Sequence, residues 1–385
     1  MEQTFESAGD DAASFVLSRI PHSDTAAFAA ATGAALSFAA LRRAALSLAA
    51  GLRLGLGLHR GDAVMVISPN TLLLPPIVLG VLAAGGVVVA AAASTAVEIA
   101  AVARASGVVI VVAAPEVADK VAAAGIPVPV MLTSRSSDPR VLSAEELMDG
   151  GDPTAIDPTA AVRSRPSDVA IVFHTSATTA TAMRHADVIA AVSTASSPSP
   201  DDDGARVCLA CLPICSFHGL PLLALAMPAA GVTTVLLSSD PTAAAHGGGG
   251  VTDVVATPEV AAALAAQMST TTLSSLRRVV VAPPFASAAT RQVFRRRLPW
   301  VELTEMAGSP EKRMVTSASE QVHVTPTKLI QQIREKAHSV SVTSEAAASV
   351  PPLEKIQGDN FSKSTASKIL REHPETCSEQ VISKL

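Results

Sequence analysis

The 385-residue sequence predicts an α/β protein built of mostly parallel sheets flanked by helices. Three observations carry that reading. Short apolar runs at 64–67, 87–90, 108–112 and 169–173 alternate with helix-length segments, the pattern of parallel βαβ units. Two uncharged stretches, 71–97 and 207–239, are interrupted, the first by Pro75, Pro76, Gly85 and Gly86 and the second by Pro213, His218, Gly219, Pro221, Pro228 and Gly231. Each exceeds the roughly 20 residues that span a bilayer. Parallel strands covered by helices on both faces give the same hydropathy, so no membrane span is expected. Third, residues 168–185 read as a buried strand, a hydroxyl-rich loop at 175–181 and an apolar segment that resumes as helix near Val188.

The elements follow in order. Residues 37–55 form an amphipathic helix, with Leu41, Ala45, Leu48 and Leu52 on one face and Arg42, Arg43 and Arg53 off it. Gly61 and Asp62 turn the chain into the 64–67 strand, Ser68, Pro69 and Asn70 precede the next helix, and Gly85-Gly86 leads into the 87–90 strand. A helix over 97–105 precedes the strand at 108–112. Residues 134–166, rich in Ser, Asp and Pro, are expected to link two subdomains. Asp201, Asp202 and Asp203 mark a solvated loop, and a glycine turn at 247–250 enters a strand at 251–256.

Composition narrows the function classes. At 49% hydrophobic but only 3% aromatic, with no tyrosine, the chain has few large side chains to pin its core, and a loosely specified interior is expected. A net charge of −5 and a pI near 6.0 provide no field for nucleic acid or an anionic membrane. Residues 1–11 are acidic and lack a basic, apolar leader, so secretion is not expected. Cys208, Cys211 and Cys215 include a C-x-x-C spacing, but the run is apolar and no fourth ligand is evident, which argues against zinc.

Strand, small-residue loop and helix is an arrangement that holds phosphate, because loop N–H groups and a helix N-terminus both present positive charge. Such loops use glycines and a basic side chain. Here Ala177 and Ala180 take the glycine places, and no lysine lies between Lys120 and Lys312. On Thr175, Ser176, Thr178 and Thr179 the chain nevertheless resembles the adenylate-forming acyl-CoA synthetases, closest to plant 4-coumarate:CoA ligase-like proteins, whose loop reads Ser-Ser-Gly-Thr-Thr-Gly-x-x-Lys-Gly. The Lys-Gly is deleted, and 185–189 resumes that family's Thr-His-x-Asn-Leu-Ile.

The resemblance covers about 37–308, leaving an N-terminal extension at 1–36 and a polar tail at 309–385. It implies the N-terminal region of the adenylate-forming fold, with the family's C-terminal domain and its catalytic lysine missing. In 212–220, Ser216 stands where the family places a histidine against the acyl pocket, and His218 lies two residues on. Residues 251–263 match a segment lining the same pocket, and in 273–284 Ala282 replaces a glycine of the turn bordering adenine. Thr304 and Glu305 remain from a motif that serves phosphate and magnesium, its adenine-stacking aromatic lost; Glu305 would be the Mg2+ carboxylate. A Thr-Glu pair is equally a favourable helix start.

The resemblance thus implies ATP, Mg2+ and CoA acting on a small-molecule carboxylate, which is converted to an acyl-adenylate and then a CoA thioester. The damaged motifs imply impaired chemistry or a non-catalytic remnant that keeps the fold as a binding module. Beyond Gly308 the composition changes: seven of the eight lysines lie at Lys312 or later. The final Ser383, Lys384 and Leu385 match the address read by the peroxisomal import receptor, with the cytosol as the alternative location.

Overall fold

The computed structural model describes residues 11–30, 33–91, 95–156, 164–174, 179–195, 206–236, 250–267, 274–283 and 286–306. The tail at 309–385, with Ser383, Lys384 and Leu385, lies outside them.

The chain opens with helix α1 (Ala12–Arg19) and strands β1 (Ala26–Ala30) and β2 (Ala35–Ser37), followed by α2 (Phe38–Ala50) and a wide π-helical turn, Gly51–Gly55. Strand and helix then alternate through β3 (Ala63–Ile67), α3 (Leu74–Ala83), β4 (Val87–Ala91), α4 (Ala96–Ser106), β5 (Val108–Ala113), α5 (Ala118–Ala123) and β6 (Val130–Leu132). After α6 (Ala144–Gly150) come β7 (Val169–His174), β8 (Ala180–Arg184), α7 (His185–Ala195) and β9 (Val207–Ala210). A second π-helical segment, Leu220–Ala226, runs into the short α8 (Met227–Ala229). The last elements are β10 (Thr233–Leu236), β11 (Asp253–Ala256), α9 (Pro258–Gln267), β12 (Arg278–Val281), α10 (Ala288–Arg297) and β13 (Glu302–Glu305).

Among the described residues the strands form two sheets, ordered β6-β5-β3-β4-β7-β8 and β13-β12-β11-β9-β10-β1-β2. All neighbours are parallel except the pairs β7–β8 and β1–β2. The expected mixed α/β fold of mainly parallel sheets is the one observed.

Alternation along each strand sorts its side chains between two layers. In β3 and β4, Val64, Val66, Val88 and Ala90 face the central helices, while Ala63, Met65, Val87 and Val89 pack with Ile99 and Val102 of α4. In the other sheet, Cys208, Ala210 and Val255 face the centre, while Val254, Val279 and Val281 pack with Ala261 of α9 and Phe294 of α10. The result is five layers, with α1, α2, α3, α7 and the Leu220–Ala226 segment sandwiched between the sheets. Helix α3 accounts for the first uncharged stretch: Leu74 through Leu82 are all buried, as a helix enclosed on every side must be. No helix among the described residues is long and apolar enough to cross a membrane.

Two segment boundaries differ from those expected. Residues 11–30 and 33–36 belong to the body, because β1 pairs in parallel with β10 and Ala12, Phe15, Val16 and Phe28 are core. The 134–166 segment, expected as a link between subdomains, connects β6 and β7 of one sheet. Within it Ser143 and Glu146 form a capping box, and Leu147 and Met148 of α6 are buried. Polar content there serves a helix start rather than a hinge.

Candidate functional site

A cavity of about 440 Å³ opens on the seven-stranded sheet's face toward the central helices. Its floor comes from register. Asp253, Arg278 and Glu302 are the first residues of three parallel strands and lie side by side. With a side-chain period of two, Val255, Val280 and Thr304 share their face, and all six line the cavity. Phe217, Leu222 and Met227 from the Leu220–Ala226 region, Met183 of β8 and Ala191 of α7 form the wall. The cavity therefore has an apolar middle and two polar ends.

One end holds an ion-pair network. Asp253, 4% exposed, accepts from Arg206 Nη2 at 2.8 Å and Nε at 3.3 Å and from Thr252 Oγ1 at 2.7 Å. Arg278 reaches Asp253 at 3.7 Å and Glu302 at 3.4 Å. At the other end are Thr304, Glu305 and Met306. Arg291 Nη1 donates to Glu305 Oε1 at 3.1 Å.

The 212–220 segment is shaped by backbone capture. Asn70 clamps it, its Nδ2 donating to Leu212 O and its Oδ1 accepting from Ile214 N–H, both at 2.8 Å. Ser216 Oγ donates to Pro213 O at 2.7 Å and accepts from Gly219 N–H at 2.9 Å. That turn is so tight that a Cβ on Gly219 would stand 2.0 Å from Pro213 O. The outcome places Phe217 and His218 at the cavity, with the Phe217 ring 5.1 Å from the His218 ring and 5.2 Å from Phe173, both edge-on.

Of the residues singled out in the sequence, His218, Thr304 and Glu305 line one cavity. Ser216 closes the turn instead, and Ala282, buried beyond β12, donates its N–H to Ala256 O at 2.9 Å. Thr175, Ser176 and Thr178 lie outside the described residues. Thr179 precedes β8 and is not part of the cavity lining. The helix expected near Val188 is α7, and an unexpected strand precedes it: β7 and β8 form an antiparallel hairpin with His174 opposite Ala180. The N-terminus of α7 lies at the far end of β8, roughly 17 Å from Ala180 along the strand. Thr304 and Glu305 form the end of a strand, β13, not a helix start.

Burial pushes the Cys211 and Cys215 thiols up to about 12 and Cys208 higher still, so all three stay protonated. Among the described residues no three His, Cys, Asp or Glu side chains could hold a metal ion. At the Glu305 end this single carboxylate is paired with Arg291, 3.1 Å away, so a cation there would compete with the arginine. The residues missed in the sequence were Asn70, Arg206, Asp253, Arg278 and Glu302. A charged residue opening each of three apolar strands was the available signal.

The family model for AMP-binding enzymes matches residues 19–340, extending past both expected limits of the resemblance at 37 and 308. Among solved structures the chain is similar to apo MatB from Rhodopseudomonas palustris, at 20% identity and TM-score 0.66, covering 79% of this chain and 60% of that one. It is similar to the amide bond synthetase McbA from Marinactinospora thermotolerans, at 24% identity and TM-score 0.64 over 78% and 59% of the two chains. A benzoate CoA ligase from Burkholderia xenovorans LB400 is similar at 20% identity and TM-score 0.65, over 78% and 61%. These likenesses are of fold, and the chain spans about 60% of the length of such structures. No curated protein matches the chain. On the strength of a match over most of its length, the chain belongs to the AMP-binding, adenylate-forming enzyme family.

Proposed function

We propose that the chain binds a small aryl or acyl carboxylate in the cavity on the seven-stranded sheet, and that its ATP-dependent activation of that acid is impaired. The observation that carries the reading is the cavity itself: about 440 Å³, apolar in the middle, with Thr304 and Glu305 at one end. That shape suits an amphipathic acid of modest size. Family membership supports carboxylate activation as the ancestral chemistry. An ATP-bound MatB from Rhodopseudomonas palustris is among the similar structures, at 19% identity.

Impairment is argued from the residues that would meet nucleotide. Ala177 and Ala180 replace the glycines of the resembled loop, the loop lysine is absent, and Glu305 is held by Arg291. Each lost stabilising contact in chemistry of this kind is worth roughly 10²–10³ in rate. Titration calorimetry with a panel of cinnamates and fatty acids should detect acid binding. With ATP, magnesium and CoA added, acid-dependent pyrophosphate release should stay at background. Clear release would restore a working ligase, and no binding of any acid would remove the reading.

A further inference from the structure

The ion pairs at the inner end of the cavity are unequal. Asp253 is buried and its charge is met by Arg206, through two contacts, and by Thr252. Arg278 stands 3.7 Å from the same carboxylate, beyond hydrogen-bond distance. Its other partner, Glu302, is 67% exposed and only 3.4 Å away at best. An exposed pair of that kind holds its partners only weakly. The Arg278 side chain is itself mostly covered, 24% exposed, and lines the cavity. Its Nε and Nη1 make the two long contacts, and Nη2 has no partner among the described residues.

A partly covered guanidinium with a donor, Nη2, to spare, at the end of a cavity whose middle is apolar, is an acceptor-binding group. Arg206 differs, because Asp253 holds it as a fork. Position gives the geometry of the ligand. Arg278 is level with Glu302, and Glu305 lies three residues further along β13, about 10 Å at the rise of a strand. Between the two levels the floor is Val280 and the wall Phe217, Leu222 and Met227.

From this we propose that Arg278 is a specificity-determining residue that selects acids bearing a second carboxylate, or another hydrogen-bond acceptor, about 10 Å from the first. The proposal rests on the acid-binding reading above. An acid with a plain apolar end would cover Arg278 Nη2 without giving it a partner, whereas a second carboxylate satisfies it with a charge-assisted bond. Sites built around a polar group discriminate strongly against ligands that lack the matching one. Because Arg206 takes the close contacts of Asp253, Arg278 is held only by its long contacts, 3.7 Å to Asp253 and 3.4 Å to the exposed Glu302.

The test uses matched acids and the full chain, without nucleotide, in titration calorimetry: octanoate against octanedioate, and cinnamate against 4-carboxycinnamate. The diacid of each pair should bind roughly tenfold or more tightly than its monoacid partner. Arg278→Met, which keeps the apolar stem, should abolish the preference, weakening the diacids by roughly tenfold or more relative to their monoacid partners. Glu302→Gln at an exposed position should enlarge it about two- to fivefold by removing the competing charge, and it decides the question if the methionine variant fails to fold. Equal binding of mono- and diacids, or a preference that survives Arg278→Met or is unmoved by Glu302→Gln, would overturn the assignment and leave acid binding standing. Failure of every acid to bind the unaltered chain would overturn both.

Discussion

His185 shows how one buried side chain joins distant parts of the chain. It is 1% exposed, its Nδ1 accepts from Ala12 N–H at 3.1 Å, and its own N–H donates to Asp168 O at 3.0 Å. Burial lowers its pKa below 6.5, against the opposing pull of Asp11 and Asp168 and with a smaller push from Arg60. The folded protein thus holds the ring neutral, and between the folded and unfolded pKa values the unfolded chain binds more protons. Stability from this group is therefore complete above about pH 6.5 and is lost as pH falls below it. Urea midpoints at pH 7.5 and 5.5 should drop more for the unaltered protein than for His185→Asn, whose amide oxygen can accept from Ala12 without titrating. Equal drops would show that His185 does not carry this dependence. At the same scale, His218, Thr304 and Glu305 were legible because the resemblance marked them. Asp253, Arg278 and Glu302 were not, since each sits alone before its own apolar run and only the register of three strands collects them.

Elements were readable where bulky β-branched runs made them so. Strands β3, β4, β5 and β7 consist mostly of Val, Ile and Met, and their expected bounds fall within one residue of the observed ones. Strands β1 and β8, AAFAA and ATAMR, went unread because alanine has little strand preference and both are placed by partners distant in sequence or across a hairpin. Alanine also shapes the helical layer. Helices α2 and α3 approach so closely that a Cβ on Gly80 would meet Leu48 Cδ2 at 2.9 Å and the Ala45 carbonyl oxygen at 3.0 Å. A leucine tip can swing away, but a helix carbonyl cannot. Gly80→Val should therefore lower stability in chemical denaturation by about 1–3 kcal/mol, the cost of overpacking a close contact. An unchanged midpoint would mean that the two helices do not meet there.

At the scale of the whole molecule, chain order binds the two sheets together. Strands β1 and β2, the first in the sequence, join the sheet completed by β9 through β13, while β3 to β8 form the other. Between them the central layer is mainly apolar, with Leu48, Ile77, Leu79, Leu223 and Leu225 at 0% exposure. Parting the sheets would uncover that layer, at roughly 25 cal/mol for each Å² of apolar surface, so neither sheet has a covered inner face without the other. The body should then unfold as one cooperative unit. Trp300, the single tryptophan, is 43% exposed beside α10 and β13 at the outer side of the seven-stranded sheet, and reports from there. Ile99 of α4 is fully buried in the outermost layer of the opposite sheet. Ile99→Ala should cost about 2–5 kcal/mol as a buried large-to-small change. If the sheets unfold together, the Trp300 fluorescence midpoint in urea shifts by the same amount as the far-ultraviolet circular dichroism midpoint, although the substitution lies three layers away. A Trp300 transition that stays in place while the dichroism signal splits into two steps would show that the seven-stranded sheet stands alone.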